Sequence, residues 1–209
     1  MSSIAIIDYK MGNLRSVEKG FCAAGVTGVS VTDDPRQVVA ADGIVLPGVG
    51  AFRDAARNLA ESGMWDVLLD RAAAGVPLLG ICLGMQLLAS VGLEDGRWEG
   101  LGLIPGTCER ISGDVKVPHM GWNTVEYPRA SGLFQGIEAG SAFYFVHSYH
   151  IVPDDSGCII GTAEYGRSLA AAVESGSLYA VQFHPEKSST SGLRLLANFG
   201  DIVAERRGA

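Results

Sequence analysis

Between Arg71 and Glu94 the chain carries no charged residue. A run of that length must be buried, either in lipid or in protein. Pro77 and the glycines Gly75, Gly80, Gly84 and Gly92 interrupt it, Gln86 is polar, and it has no Trp/Tyr belt and no basic flank. These features set a membrane span aside. A strand covered on both faces that feeds a buried helix explains the run better, because central parallel strands are apolar throughout. Within the run stands Gly80-Ile81-Cys82-Leu83-Gly84, a cysteine held between glycines.

The rest of the chain agrees with a protein core. Of 209 residues, 47% are hydrophobic and 19% charged, enough apolar material for one sizeable domain spanning 1–209. The net charge of −7 and the lack of a Lys/Arg cluster argue against nucleic acid as a partner. Arg206-Arg207 reads as a pair of cations ending the last helix. The four cysteines have no CxxC spacing. That fits neither a disulfide framework nor a zinc site, and it points to a reducing, cytoplasmic compartment. The start, MSSIAIIDYK, has neither the basic nor the apolar region of a signal peptide.

The first half alternates strand and helix signals. Strands are expected at 4–9, 29–32, 43–48 and 77–82, with helices at 13–25, 51–63, 64–75 and 83–90. The order implies an α/β fold with a mostly parallel open central sheet flanked by helices. Residues 94–175 read as short strands and turns, added as antiparallel strands to the same domain. A buried strand at 178–183 and a closing helix at 190–206 complete the chain. No repeat, low-complexity segment or linker is present.

Gly80-Ile81-Cys82-Leu83-Gly84 has the spacing of a nucleophile elbow, with Cys in place of Ser. Such a turn exposes the side chain at the carboxyl end of a strand, where open α/β sheets bind ligands. The helix beginning beside it favours the thiolate. The N–H of Leu83 then points where an oxyanion forms. A structural thiol between packing glycines remains the alternative. A thiolate nucleophile needs a base, and the base an orienting group. His184 follows the strand 178–183, and Glu186 lies two residues on, able to turn to the same side and fix the imidazole. His119 and His150 read instead as histidines with satisfied hydrogen bonds. The stretch 46–52, LPGVGAF, follows a buried strand and offers the N–H of Val49 or Gly50 as a second oxyanion donor. Neither GxxxxGK[ST] nor GxGxxG is present there, so a phosphate loop is set aside, and no cofactor or metal is expected.

GICLGMQLL together with QFHPEKS resembles the class I (triad) glutamine amidotransferases, over nearly the whole chain. DYKMGNLRSVEKGF, LPGVGAF, EGLGLIPG, KVPHMGWN and FYFVHSYH are similar to one subfamily, the glutaminase subunits of imidazole glycerol phosphate synthase in histidine biosynthesis. The resemblance implies that Cys82 attacks the side-chain amide of L-glutamine, that His184 moves protons and that Glu186 orients it. It implies substrate contacts from Gln86, His147, Ser148 and Tyr149. It further implies a separate cyclase subunit, paired as a heterodimer, that uses the ammonia. Asn13, Trp122, Tyr144 and Lys187 are its expected docking residues. Activity in such a pair is weak until the cyclase binds its ligand, and the Val49–Gly50 loop is expected to rearrange then. His150 departs from the pattern after FVHSY and adds an ionisable group near the site. Three other readings stay open: a triad glutaminase serving a different synthase, a dead-site scaffold, and a free-standing cysteine hydrolase or esterase.

Overall fold

The computed structural model describes residues 2–208. Its first half is β1 (Ile4–Ile7), α1 (Leu14–Ala23), β2 (Val29–Thr32), α2 (Pro35–Ala40), β3 (Gly43–Gly48), α3 (Phe52–Glu61), α4 (Met64–Ala73) and β4 (Leu78–Cys82). Local chemistry sets these boundaries. Asn13 caps α1 by accepting the Ser16 N–H, and Gly25, at φ +80°, ends it in the left-handed region. Asp34 caps α2 through the Arg36 N–H, with Pro35 in the first turn. The sequence gives α2 only these end signals over six residues, and it lies outside the expected helices.

The second half is α5 (Leu83–Leu87), β5 (Ala89–Gly92), β6 (Trp98–Glu99), β7 (Ile104–Arg110), β8 (His119–Val125), β9 (Ser141–His147), β10 (Tyr149–Pro153), β11 (Ile159–Glu164), β12 (Ser168–Ser175), β13 (Leu178–Val181) and α6 (Ser189–Gly208). The helix expected over 83–90 is shorter than its apolar run suggests. Leu88 closes it, and Ala89 already pairs with Ile104 of β7. Every residue from Leu83 to Ala89 is buried, which removes the periodicity that would mark the change.

The main sheet has the order β11-β12-β13-β4-β3-β1-β2. From β13 to β2 neighbouring strands are parallel, and β12 and β11 add antiparallel pairs at one edge. Alternate residues of β1 serve opposite faces. Ala5 and Ile7 pack with Leu59, Met64 and Leu68 of α3 and α4, while Ile4 and Ile6 pack with Phe21 of α1 and Phe199 of α6. Helices therefore cover both faces, which is why the strands read as continuous apolar runs. A second sheet runs β10-β7-β5-β6, and β8 pairs with β9 alone. These strands are antiparallel except β5 with β7, which run parallel. Among the described residues no helix is long and apolar enough to cross a membrane.

Candidate active site

Cys82 is the last residue of β4 and Leu83 the first of α5. The turn between them puts Cys82 at φ +55°, ψ −110°, a conformation that costs a residue with a Cβ about 1–3 kcal/mol. The glycines around it follow from close backbone approach. A Cβ on Gly84 would overlap the Leu46 carbonyl oxygen of β3, and one on Gly80 would press on the Gly84 backbone at 3.0 Å. The thiol is not exposed as the elbow pattern implies. Cys82 is only 6% accessible, because β9 and the segment before His184 roof the strand end.

Above it lies a cavity of about 360 Å³, lined by Val49, Gly50, Cys82, Leu83, Gln86, Glu94, Val146, His147, Ser148, Tyr149 and His184. The nucleophile candidate, the three proposed oxyanion residues and the four expected substrate contacts thus share one wall-to-wall space. A larger cavity of about 700 Å³ beside Ile4 and Arg207 contains neither Cys nor His, so size alone does not mark the site.

His184 and Glu186 meet as the sequence suggests, but by a different local structure. β13 ends at Val181, and Pro185–Lys187 form a turn of 3-10 helix rather than extended chain. The turn brings His184 Nδ1 to 2.9 Å from Glu186 Oε1, and both side chains are almost fully buried. Backbone contacts fix the ring's base: the His184 N–H donates to the Tyr144 carbonyl, and the Ser188 hydroxyl donates to the His184 carbonyl. His184 Nε2 and Glu186 Oε2 have no formed hydrogen bond although both are buried. Burial pulls the His184 pKa down, but interaction with the Cys82 sulfur and the Glu186 carboxylate outweighs it and pushes it up to about 9. His184 Nε2 and the Cys82 sulfur form no hydrogen bond here, so the upward direction follows from the nearness of the sulfur and of the Glu186 carboxylate.

Leu83, at the first position of α5, has an N–H without an intrahelical acceptor. Val49 is 42% exposed and Gly50 sits at φ +106° just past β3. Gln86, one turn into α5, donates from Nε2 to the Tyr149 carbonyl at 2.8 Å and to Gln182 Oε1 at 3.1 Å. Gln182 in turn points its Nε2 at Cys82 Sγ, 3.7 Å away.

Gln182 and Glu94 are site residues that the sequence reading missed. Gln182 left a signal, as a lone amide in the buried stretch LYAVQF. Glu94 left little: it is simply the first charge after the uncharged run. Its Oε2 accepts the Phe52 N–H at 2.6 Å, capping α3 where Ala51 offers no side-chain cap. His150 does not reach the cavity. It is buried in β10 with Nδ1 on the Ile151 carbonyl and Nε2 against Arg167, beside Glu109.

The expected docking residues divide into two groups. Trp122 and Tyr144 pair across β8 and β9 with their rings edge to face, and Lys187 Nζ lies 5.9 Å from the Tyr144 ring centre. Trp122 is 55% exposed and Met120, on the same strand, 62%. Asn13 stands apart at the start of α1, where its side chain is the helix cap.

A thiol, an imidazole with one free nitrogen and a carboxylate on the other nitrogen are the parts of acyl transfer through sulfur. The comparisons with known proteins agree with that class. The family model of class-I glutamine amidotransferases matches residues 5–202. Two solved structures share the fold. One is described as a glutamine amidotransferase, with a TM-score of 0.76 at 19% identity, covering 96% of this chain and 98% of that one. The other is PurLQS from Thermotoga maritima, with a TM-score of 0.72 at 20% identity, covering 97% of this chain and 99% of that one. More similar in sequence are proteins named imidazole glycerol phosphate synthase subunit HisH. That of Moorella thermoacetica is 54% identical, over 97% of this chain and 96% of its own length. That of Syntrophotalea carbinolica is 50% identical, over 95% and 100%. The chain belongs to the class I glutamine amidotransferases and, within them, to the family of imidazole glycerol phosphate synthase subunit HisH.

Proposed function

We propose that residues 1–209 act as a single glutaminase domain that hydrolyses L-glutamine to glutamate and ammonia through Cys82, and that the ammonia passes to a cyclase subunit in histidine biosynthesis. The observation that carries the chemistry is the placement of Cys82, at a strained φ, under the same cavity as a histidine whose far nitrogen is held by a buried carboxylate. Cys82 gives its proton to His184, and its sulfur electron pair attacks the amide carbon. His184 returns the proton to the leaving nitrogen, ammonia departs and a γ-glutamyl thioester remains. Water then attacks with His184 accepting its proton, and glutamate and the free thiol are released. Leu83 N–H and the N–H of Val49 or Gly50 bind the oxyanion in both steps; one such donor is worth about 3 kcal/mol. In the binding wall Gln86, His147, Ser148 and Tyr149 hold the substrate, and the Glu94 carboxylate suits its α-amino group.

The partner reading is supported by the printed names of the relatives and by the exposed Met120–Trp122 strand beside the cavity wall. Trp122, Tyr144 and Lys187 form the docking edge of a heterodimer, Trp122 serving as its aromatic anchor, and Asn13 is a separate contact at the start of α1. The four free cysteines fit a cytoplasmic setting. Basal activity is low because the Val49–Gly50 loop completes the oxyanion hole only with the ligand-bound partner. The test is glutamate release from glutamine by the chain alone, then with a histidine-pathway cyclase and its nucleotide ligand. A rise of about 10²–10³-fold with the liganded cyclase, abolished by Cys82→Ala, is expected, being the worth of one oxyanion donor. Glutamate release that survives Cys82→Ala, or none under any condition, contradicts the proposal.

A further inference from the structure

Behind the binding wall two buried histidines meet, although only one of them touches the cavity. His147 Nδ1 is 2.9 Å from the Tyr149 carbonyl, which accepts and never donates, so Nδ1 carries the proton. Burial holds the His147 pKa far down, to about 3, so the ring is neutral and Nε2 is a bare acceptor. That nitrogen is 2.9 Å from His119 Nδ1, which must then be the donor. His119 Nε2 is left as an acceptor and faces the Asn123 side-chain amide at 3.3 Å. The amide's orientation is fixed independently: Asn123 Oδ1 accepts the Thr124 N–H at 2.8 Å, and Nδ2 donates to the Glu164 carbonyl at 3.0 Å. Backbone groups at both ends and the contact between the two rings therefore agree on every proton position along the line. His119 is further pinned between the stacked rings of Phe145 and Tyr165.

The Tyr149 carbonyl at the end of this line also accepts from Gln86. We propose that His119 is a positioning residue for glutamine binding: its Nδ1–H donates to His147 Nε2, locks His147 in the Nδ1–H tautomer, and so holds the Tyr149 carbonyl and Gln86 in place on the cavity wall. The inference rests on the glutaminase reading for its kinetic consequence, and on geometry alone for its tautomers.

Two variants separate positioning from packing. His119→Phe keeps the stacking between Phe145 and Tyr165 and removes the donor. His119→Asn loses the stacking and keeps a donor near the Nδ1 position. Nitrogen-15 spectra of the histidine-labelled full chain should show His119 and His147 both as Nδ1–H in the wild type, with an Nε2–H form of His147 appearing in His119→Phe but not in His119→Asn. With the liganded cyclase present, KM for glutamine should rise about tenfold in His119→Phe, the scale of one buried hydrogen bond, with kcat nearly unchanged and His119→Asn closer to wild type. An Nε2–H form of either histidine in the wild type overturns the inference. So does a KM that follows the stacking, with Asn worse than Phe. Were the wild type to release no glutamate at all, the glutaminase reading would fall, and the tautomers would still decide the role of His119.

Discussion

On one side of the cavity His184 faces a buried carboxylate at 2.9 Å and a cysteine; on the other His147 faces a backbone carbonyl at 2.9 Å and a second histidine. Both rings are almost fully buried. Burial alone disfavours charge on each, yet the His184 pKa goes up and the His147 pKa goes down. The difference lies in the partners: the Cys82 sulfur and the Glu186 carboxylate favour an imidazolium enough to outweigh burial, whereas one carbonyl fixes the tautomer and raises the pKa too little to do so. A group that must carry protons between sulfur, nitrogen and water is served by the first arrangement. A wall that must hold a neutral polar substrate in one pose is served by the second.

Glu186→Gln should have the largest effect, because it turns the first environment into something like the second. Steady-state glutamate release should fall about 10²-fold or more, as for loss of an oriented acid–base group. The pH dependence of stability should change with it. The folded pKa of His184 lies above its ordinary value of 6.5, so its contribution is fully present below about pH 6.5 and is lost as pH rises through about 9. Thermal melts from pH 6 to pH 10 should show this loss in the wild type and a flatter curve in Glu186→Gln. Equal slopes would mean that Glu186 does not hold the His184 charge.

A smaller effect is expected on the binding wall from Glu94→Gln. The amide oxygen still accepts the Phe52 N–H, so α3 keeps its cap while the negative charge leaves the cavity. KM for glutamine should rise about tenfold with kcat and Tm little changed, the loss of one charge-assisted bond to the substrate's amino group. An unchanged KM would remove Glu94 from substrate binding and leave it as a helix cap.

How far these features are legible in the sequence depends on the range of the interactions that fix them. The parallel strands and their helices announce themselves through short apolar runs, caps and turn glycines, all local signals. The elbow is equally local, since the spacing Gly80-Ile81-Cys82-Leu83-Gly84 encodes the approach of Leu46 and Gly84 to the strand. The end of α5 at Leu87 is not readable, because burial on all sides erases the period. Nor is the parallel pairing of β5 with β7, or the place of Glu94, which depends on the return of the chain past Phe52. His119 shows the same limit from another side. Its partners can be expected to exist, but His147 lies 28 residues away, and only the register of β8 on β9 brings the two rings together.

The most direct test of the proposed chemistry is to catch the acyl group on sulfur. The chain with its liganded cyclase would be mixed with glutamine, quenched in acid within the turnover time, digested and mapped by mass spectrometry. A glutamyl adduct confined to the peptide containing Cys82, labile to base and absent from Cys82→Ala, is expected. Steady glutamate release with no adduct on that peptide, or an adduct on Cys22, Cys108 or Cys158 instead, would contradict the thioester route.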